Sequence, residues 1–145
     1  MGIRYYVYAF DADQTEAALA DPMSIVSDDP TDNLWGEPFR ALDLDKAWRI
    51  FQRLTEPLPG EEVRPAYRMF EGEVRHHDRG WQSFTRAIPP QDLPDIYADL
   101  RKLWVNGIDQ VGEEDACYAM EYLKSAELFV EHLISTNQGF SYAIG

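Results

Sequence analysis

The sequence predicts an α+β fold, with a small mixed or antiparallel sheet that includes both terminal strands and is covered by amphipathic helices. Both ends of the chain have strand-type patterns, "RYYVYAF" near the start and "FSYAI" near the end. The segments between them include long stretches with apolar residues at helical spacing. Strand-like and helix-like segments are segregated along the chain. At 145 residues, of which 45% are hydrophobic, residues 1–145 are expected to form one domain.

The first strand is predicted over residues 3–10, where side chains alternate between two sides that are both largely apolar. A strand with two apolar sides is usually covered on both, as in the interior of a sheet. We therefore expect Tyr5 and Val7 to be core residues. Residues 140–144 are expected to lie in the same sheet, and the pattern leaves open whether the two strands are neighbours.

A short helix is expected after Asp13, and Pro22 ends it. Residues 23–41 have the composition of a loop. The clearest helical pattern is "LDLDKAWRIFQRL", for which Asp43 is the predicted N-cap. Its apolar stripe is Leu44, Ala47, Trp48, Phe51 and Leu54, and the residues predicted to lie off the stripe are Arg49, Gln52 and Arg53.

Short strands are predicted over residues 66–88. "AYRMF" and "EVRHH" would form a hairpin around Glu71-Gly72, and "WQSFTRAI" would be a third strand. A helix follows, with Pro94 either in its first turn or at a kink. Another helix runs from Glu113 to about Asn137. The predicted buried faces of these two helices are Leu93, Ile96, Tyr97, Leu100 and Leu103, and Ala116, Ala119, Met120, Leu123, Ala126, Val130, Leu133 and Ile134.

The chain is strongly acidic, with 26 Asp and Glu against 13 Lys and Arg and a net charge of −13. Such a charge repels phosphate backbones, so we expect no nucleic-acid partner. It would attract basic proteins or cations, although a contribution to solubility is the simpler explanation of the charge. No apolar run reaches the roughly 20 residues that a membrane span needs, so no membrane association is expected. The single cysteine, Cys117, forms no internal disulfide, and a cytoplasmic location is expected.

Several segments resemble the YfbM-like family, a bacterial domain of unknown function. They are "LDLDKAW", "FEGEVRHHDRGWQSFTRAIPPQDLPDIYADLRKL" and "AELFVEHLISTNQGFSYAIG". "DKAW" is the most specific of the matching motifs, and the others match by pattern and order. The resemblance implies an α+β domain and supplies no established activity or cofactor. In the family pattern, histidines often follow the tryptophan of this helix. Here those positions are Arg49 and Gln52, so chemistry that needs the histidines is not expected in this chain.

No motif of a known catalytic or cofactor site is present, and we predict no catalytic residues, no metal site and no cofactor. "HHD" at 76–78 contains metal-ligand residue types. Adjacent strand residues point to opposite faces, however, so an exposed turn is the favoured interpretation. Cys117 has no partner cysteine and is expected to be a small packing residue of the last helix.

The remaining candidates are aromatic and arginine side chains near glycines in irregular parts of the chain, residue types that are enriched at interfaces. The predicted ligand or partner surface consists of Trp35, Arg68, His76, His77, Arg79 and Trp81. Trp48 is excluded because it falls on a helix stripe.

Three functions remain open. The favoured hypothesis is a non-catalytic domain that acts through protein–protein interaction, with an immunity-type or inhibitor protein that masks a basic partner as its sharper version. The alternative is a small-molecule-binding protein or enzyme with an aromatic pocket. A structural or oligomeric accessory domain is the third, and the sequence does not indicate an oligomeric state.

Overall fold

The computed structural model describes residues 3–26, 40–78, 80–107 and 111–145. Within these ranges, only the backbone of residues 77 and 106 is described. It has the α+β architecture that the sequence predicts. The strands are β1 (Tyr5–Asp11), β2 (Ala41–Asp45), β3 (Arg75–His77), β4 (Gly80–Gln82), β5 (Phe84–Ile88) and β6 (Gln138–Ile144). The helices are α1 (Thr15–Ala20), α2 (Ala47–Thr55), α3 (Leu93–Asn106) and α4 (Glu113–Ser135).

The two terminal strands lie side by side at the centre of a four-stranded sheet of order β2-β1-β6-β5. All neighbouring strands are antiparallel, and Val7 of β1 lies opposite Tyr142 of β6. The strand patterns at both ends of the chain therefore do belong to one sheet. β3 and β4 form a separate two-stranded hairpin.

One face of the sheet carries the main core, to which α2, α3 and α4 contribute. Tyr5 and Val7 are fully buried there, as predicted, and the Tyr5 ring stacks on Tyr142 at 5.1 Å between centroids. The opposite face is covered at one end by α1 and the following 3-10 turn, where Phe10 packs with Ala18 and Ala87. β1 thus has apolar contacts on both sides, which explains its two apolar faces.

Two helix predictions are confirmed in detail. α3 begins at Leu93, so Pro94 lies in the first turn, where the missing N–H has no partner to lose. Trp48 is buried on α2, as its place on the stripe predicts.

Residues 41–45 correct the prediction for the start of α2. "ALDLD" is edge strand β2, paired with β1, and α2 begins only at Ala47. Asp43 is therefore a strand residue and not the N-cap. The turn between strand and helix is made at Asp45, whose φ of 48° allows the sharp change of direction.

The hairpin prediction was placed too early in the chain. Residues 65–69 form a 3-10 helix, and the hairpin pairs β3 with β4, with His76 opposite Trp81. The prolyl residue at position 65 suits a first helical turn, whereas "AYRMF" has the residue types of a strand. The predicted third strand corresponds to β4 and β5 together.

Four residues of α4 differ in burial from the prediction. Met120 and Ile134 were expected in its buried face but are 42% and 36% exposed. Cys117 was expected to pack and is exposed. Phe129, which the predicted face omitted, is buried. Across the described ranges, every helix is too short or too polar to cross a membrane.

Candidate functional site

The predicted surface residues are only partly described. Trp35 and Arg79 lie outside the described residues. His76 and Trp81 face each other across the β3–β4 hairpin, with ring centroids 4.5 Å apart in an edge-to-face arrangement. Trp81 is 65% exposed. His77 follows on the same strand, where its backbone pairs with Gly80.

Arg68 lies elsewhere, in the 3-10 helix at residues 65–69. Its guanidinium lies 3.6 Å from the Asp92 carboxylate, and both residues line a cleft beside β5. That cleft does not include the hairpin residues His76 and Trp81. The structure therefore brings two of the predicted residues together and places Arg68 apart from them. In the described part of the chain, no three His, Cys, Asp or Glu side chains are grouped to hold a metal ion.

Lysine and arginine are distributed unevenly along the chain, and the net charge does not show this. Residues 40–86 contain nine of the 13 Lys and Arg. Residues 5–39, 87–100 and 125–145 contain no lysine or arginine at all. The fold assembles these segments into two clefts of different character, which we call the acidic groove and the arginine cleft.

The acidic groove is a cavity of about 560 Å³ between α1, the start of α3 and the end of α4. Its lining residues are Ala12, Thr15, Pro90, Gln91, Pro94, Leu133, Ile134 and Asn137. Leu133 is fully buried, so it belongs to the floor, and Ile134 is partly exposed. Five of the eight lining residues are apolar, and Thr15, Gln91 and Asn137 add polar groups.

Exposed carboxylates lie on the same segments that line this groove. Asp11 ends β1, Asp13 lies in the 3-10 turn that follows, and Glu16 lies in α1. Asp95 follows Pro94 on α3, and Glu131 lies two residues before Leu133 on α4. All three segments come from the parts of the chain without lysine or arginine. None of these carboxylates lines the groove itself, and we call the set, which borders the lining residues along the chain, the rim of the groove.

The arginine cleft is a cavity of about 490 Å³ between α2, the irregular segment 67–75 and β5. Its lining residues are Arg49, Gln52, Arg53, Glu56, Tyr67, Glu71, Gly72, Glu73, Arg75 and Phe84. The three arginines are exposed. Arg49 and Gln52, which the sequence analysis placed off the buried stripe of α2, both lie in this cleft.

Gln52 fixes the floor of the arginine cleft. It is 7% exposed, and its Nε2 donates to the carbonyls of Phe70 and Gly72, both at 2.8 Å. Arg49 donates to its Oε1 at 3.2 Å. Gln52 was predicted to lie off the buried stripe, and that prediction is wrong. Its partners are 18 and 20 residues away in the sequence, so a local sequence pattern does not predict these hydrogen bonds.

Gly72 allows the close contact beneath the cleft. Its φ is 136°, and a Cβ at this position would lie 2.2 Å from the Phe84 ring. Only glycine combines that backbone conformation with such an approach. Segment 71–74 is thereby held directly against β5.

The segment that forms one wall is anchored by three further buried polar groups. Asp99 of α3 accepts from Arg64 at 2.7 and 2.9 Å and from the Ala66 N–H at 2.9 Å. Burial alone would raise the pKa of Asp99, but these hydrogen bonds and the Arg64 charge outweigh burial and lower it. The wall is therefore tied to α3 through an ionised carboxylate.

The sheet holds the same segment through tyrosine hydroxyls. The Tyr142 hydroxyl lies 2.8 and 2.7 Å from the carbonyls of Arg68 and Glu71 and has one proton to donate between them, and Tyr5 donates to the Met69 carbonyl. Burial raises the pKa of both tyrosines. Both hydroxyls are thus neutral donors in structural hydrogen bonds.

Among solved structures, the chain is similar to YfbM from Escherichia coli, described as a protein of unknown function. The match covers 99% of this chain and 100% of that one, with a TM-score of 0.63 and 19% sequence identity. No family model and no curated protein matches the sequence. At this identity the likeness establishes a shared fold, and the resemblance to the YfbM-like family is confirmed at that level.

Proposed function

We propose that this protein is a non-catalytic binding domain whose acidic groove docks a basic segment of a protein partner. The observation that carries the proposal is the combination of a lining that is apolar at five of its eight residues with a rim that has carboxylates and no lysine or arginine. Protein interfaces commonly have an apolar centre and a polar rim. A partner segment with both apolar and basic side chains would complement this one.

The net charge of −13 adds a kinetic advantage for such a partner. Complementary charge steers encounter and raises the association rate, and salt weakens this effect. The domain would therefore capture a basic protein quickly at low ionic strength. This is the behaviour expected of an immunity-type or inhibitor protein that masks a basic partner.

The non-catalytic part of the proposal is supported by how the buried polar groups are used. Asp99, Tyr5 and Tyr142 all hold the backbone of residues 66–71 in place. A catalytic group needs access to substrate, whereas these groups are committed to structural hydrogen bonds. A reducing cytoplasm suits the one free thiol, Cys117, which is exposed.

A labelled decapeptide of lysine and leucine tests the acidic groove. In fluorescence anisotropy at low ionic strength, we expect the triple variant Asp13→Asn, Glu16→Gln, Asp95→Asn to bind about tenfold more weakly than wild type, because three rim charges contribute about 0.5 kcal/mol each. Amide side chains keep the size and polarity of the originals, so folding should be unaffected.

The matched control removes the same charge elsewhere, in Glu62→Gln, Glu114→Gln, Glu121→Gln, all three of which are exposed and outside the groove. We expect this variant to bind within about twofold of wild type, since only long-range steering is lost. Equal weakening of binding by both triple variants would show that the effect depends on net charge alone, and it would refute docking in the groove. Failure of the wild type to bind the peptide at all would have the same consequence.

A further inference from the structure

The arginine cleft contains guanidinium groups that no carboxylate of the described chain neutralises. Arg53 and Arg75 are exposed on its wall and form no ion pair with any residue in the described ranges. Arg49 uses one nitrogen on Gln52 and lies over the Trp48 ring. A guanidinium presents a planar fork of donors that matches a carboxylate. One side of the cleft is thus suited to an anionic group.

The same cleft contains carboxylates around an aromatic ring. Glu56, Glu71 and Glu73 line the cleft together with Tyr67. In agreement with this placement, burial and the charges of these carboxylates raise the pKa of Tyr67. Glu71 is neutralised by Arg86 at 2.5 Å. Glu56 and Glu73 form no ion pair within the described chain. Carboxylates beside a tyrosine ring suit an ammonium group.

Unpaired charges of both signs in one cleft restrict the ligand more than either sign does alone. The carboxylates disfavour a simple anion, and the arginines disfavour a simple cation. A molecule that carries both charges satisfies both sets of side chains. The cleft volume of about 490 Å³ is in the range of small-molecule sites.

From this arrangement we propose that the arginine cleft binds a small zwitterion, a free amino acid or short peptide, with its carboxylate at Arg53 and Arg75 and its ammonium at Glu56, Glu73 and Tyr67. The floor is preformed, because Gln52 fixes the carbonyls of Phe70 and Gly72. A preorganised floor lowers the cost of ordering on binding. The site is separate from the acidic groove and stands whether or not that groove binds a protein.

Four related compounds test the inference by isothermal titration calorimetry. Alanine and dialanine carry both charges, N-acetylalanine keeps only the carboxylate, and alaninamide keeps only the ammonium. We expect alanine or dialanine to bind at least about tenfold more tightly than either singly charged compound. A preference for dialanine over alanine would indicate a peptide, and the reverse a free amino acid. Binding of N-acetylalanine as tight as both zwitterions would overturn the proposal.

Charge variants assign the two ends of the ligand. Arg53→Gln with Arg75→Gln should weaken N-acetylalanine binding at least about fivefold and leave alaninamide unchanged or tighter, because only the carboxylate end is lost. Glu56→Gln with Glu73→Gln should do the opposite. Lys124→Gln removes an exposed charge from α4, outside the cleft, and should change neither. Equal effects of the two cleft variants on both compounds would contradict the assignment, and thermal denaturation of each variant confirms that it is folded.

Discussion

The acidic groove and the arginine cleft are similar in volume, about 560 and 490 Å³, but they are built in different ways. The groove lies between regular elements, and five of its eight lining residues are apolar. The cleft is bounded by residues 67–75, whose backbone carbonyls are held by side chains from α2 and the sheet. The shape of the groove therefore depends on helix packing as a whole, whereas that of the cleft depends on a few polar side chains. Single substitutions should therefore have different effects on stability in the groove and in the cleft.

The largest difference in the free energy of unfolding is expected between alanine variants of two aspartates one turn apart on α3, Asp95 and Asp99. Asp99→Ala removes the acceptor for Arg64 and for the Ala66 N–H, and it leaves a partly buried guanidinium without its carboxylate. We expect the free energy of unfolding to fall by about 3 kcal/mol, at the low end for a broken buried pair because Arg64 is 35% exposed. Urea denaturation measures it.

Asp95→Ala is the matched control, on the rim of the acidic groove. Asp95 is exposed, and its removal should cost less than about 0.5 kcal/mol. Equal losses from the two alanine variants would show that the cleft wall does not depend on the Asp99 network. Hydrogen exchange should also locate the loss of protection in Asp99→Ala at residues 64–71.

A smaller effect is expected from Gln52→Leu in the floor of the arginine cleft. Leucine fills a similar volume but donates no hydrogen bond, so the carbonyls of Phe70 and Gly72 lose a donor. Because the Phe70 carbonyl is buried, we expect a loss of about 2 kcal/mol in the free energy of unfolding, measured in urea.

Arg53→Leu, on the next residue of the same helix, changes an exposed side chain and should leave the free energy of unfolding within about 0.5 kcal/mol of wild type. If Gln52→Leu were as stable as Arg53→Leu, the floor would be held by packing alone. The distinction between the two clefts would then disappear.

The architecture was predictable where a segment's pattern had one physical interpretation. Two apolar sides placed β1 inside a sheet, and the stripes of α2 and α3 were continuous enough to identify both helices. "LDLD" failed because alternating leucine and aspartate is compatible with a strand and with a capped helix start. Residues 41–45 form a strand because they pair with β1, and a local sequence pattern contains no information about that pairing.

The candidate sites were harder to predict, because both are assembled from segments distant in the sequence. Gln52 is buried only because carbonyls 18 and 20 residues later fold over it. The sequence analysis used only the total charge, which does not show where lysine and arginine are concentrated. The total also does not show that the arginine cleft combines charges of both signs, because its arginines and glutamates come from separate elements.

The smallest of the expected effects is the pH dependence of the stability that Asp99 and its hydrogen-bond partners contribute. Since hydrogen bonds and the Arg64 charge lower the pKa of Asp99 in the folded state, the ionised carboxylate stabilises the fold above the unfolded pKa of about 3.9. That contribution is lost as the pH falls through the lower folded value. The difference in unfolding free energy between wild type and Asp99→Asn should therefore be constant between about pH 5 and 7 and shrink below about pH 4. Urea denaturation over this pH range measures it. A difference that grew toward low pH would mean that Asp99 is neutral in the fold and that the cleft wall is not held by charge.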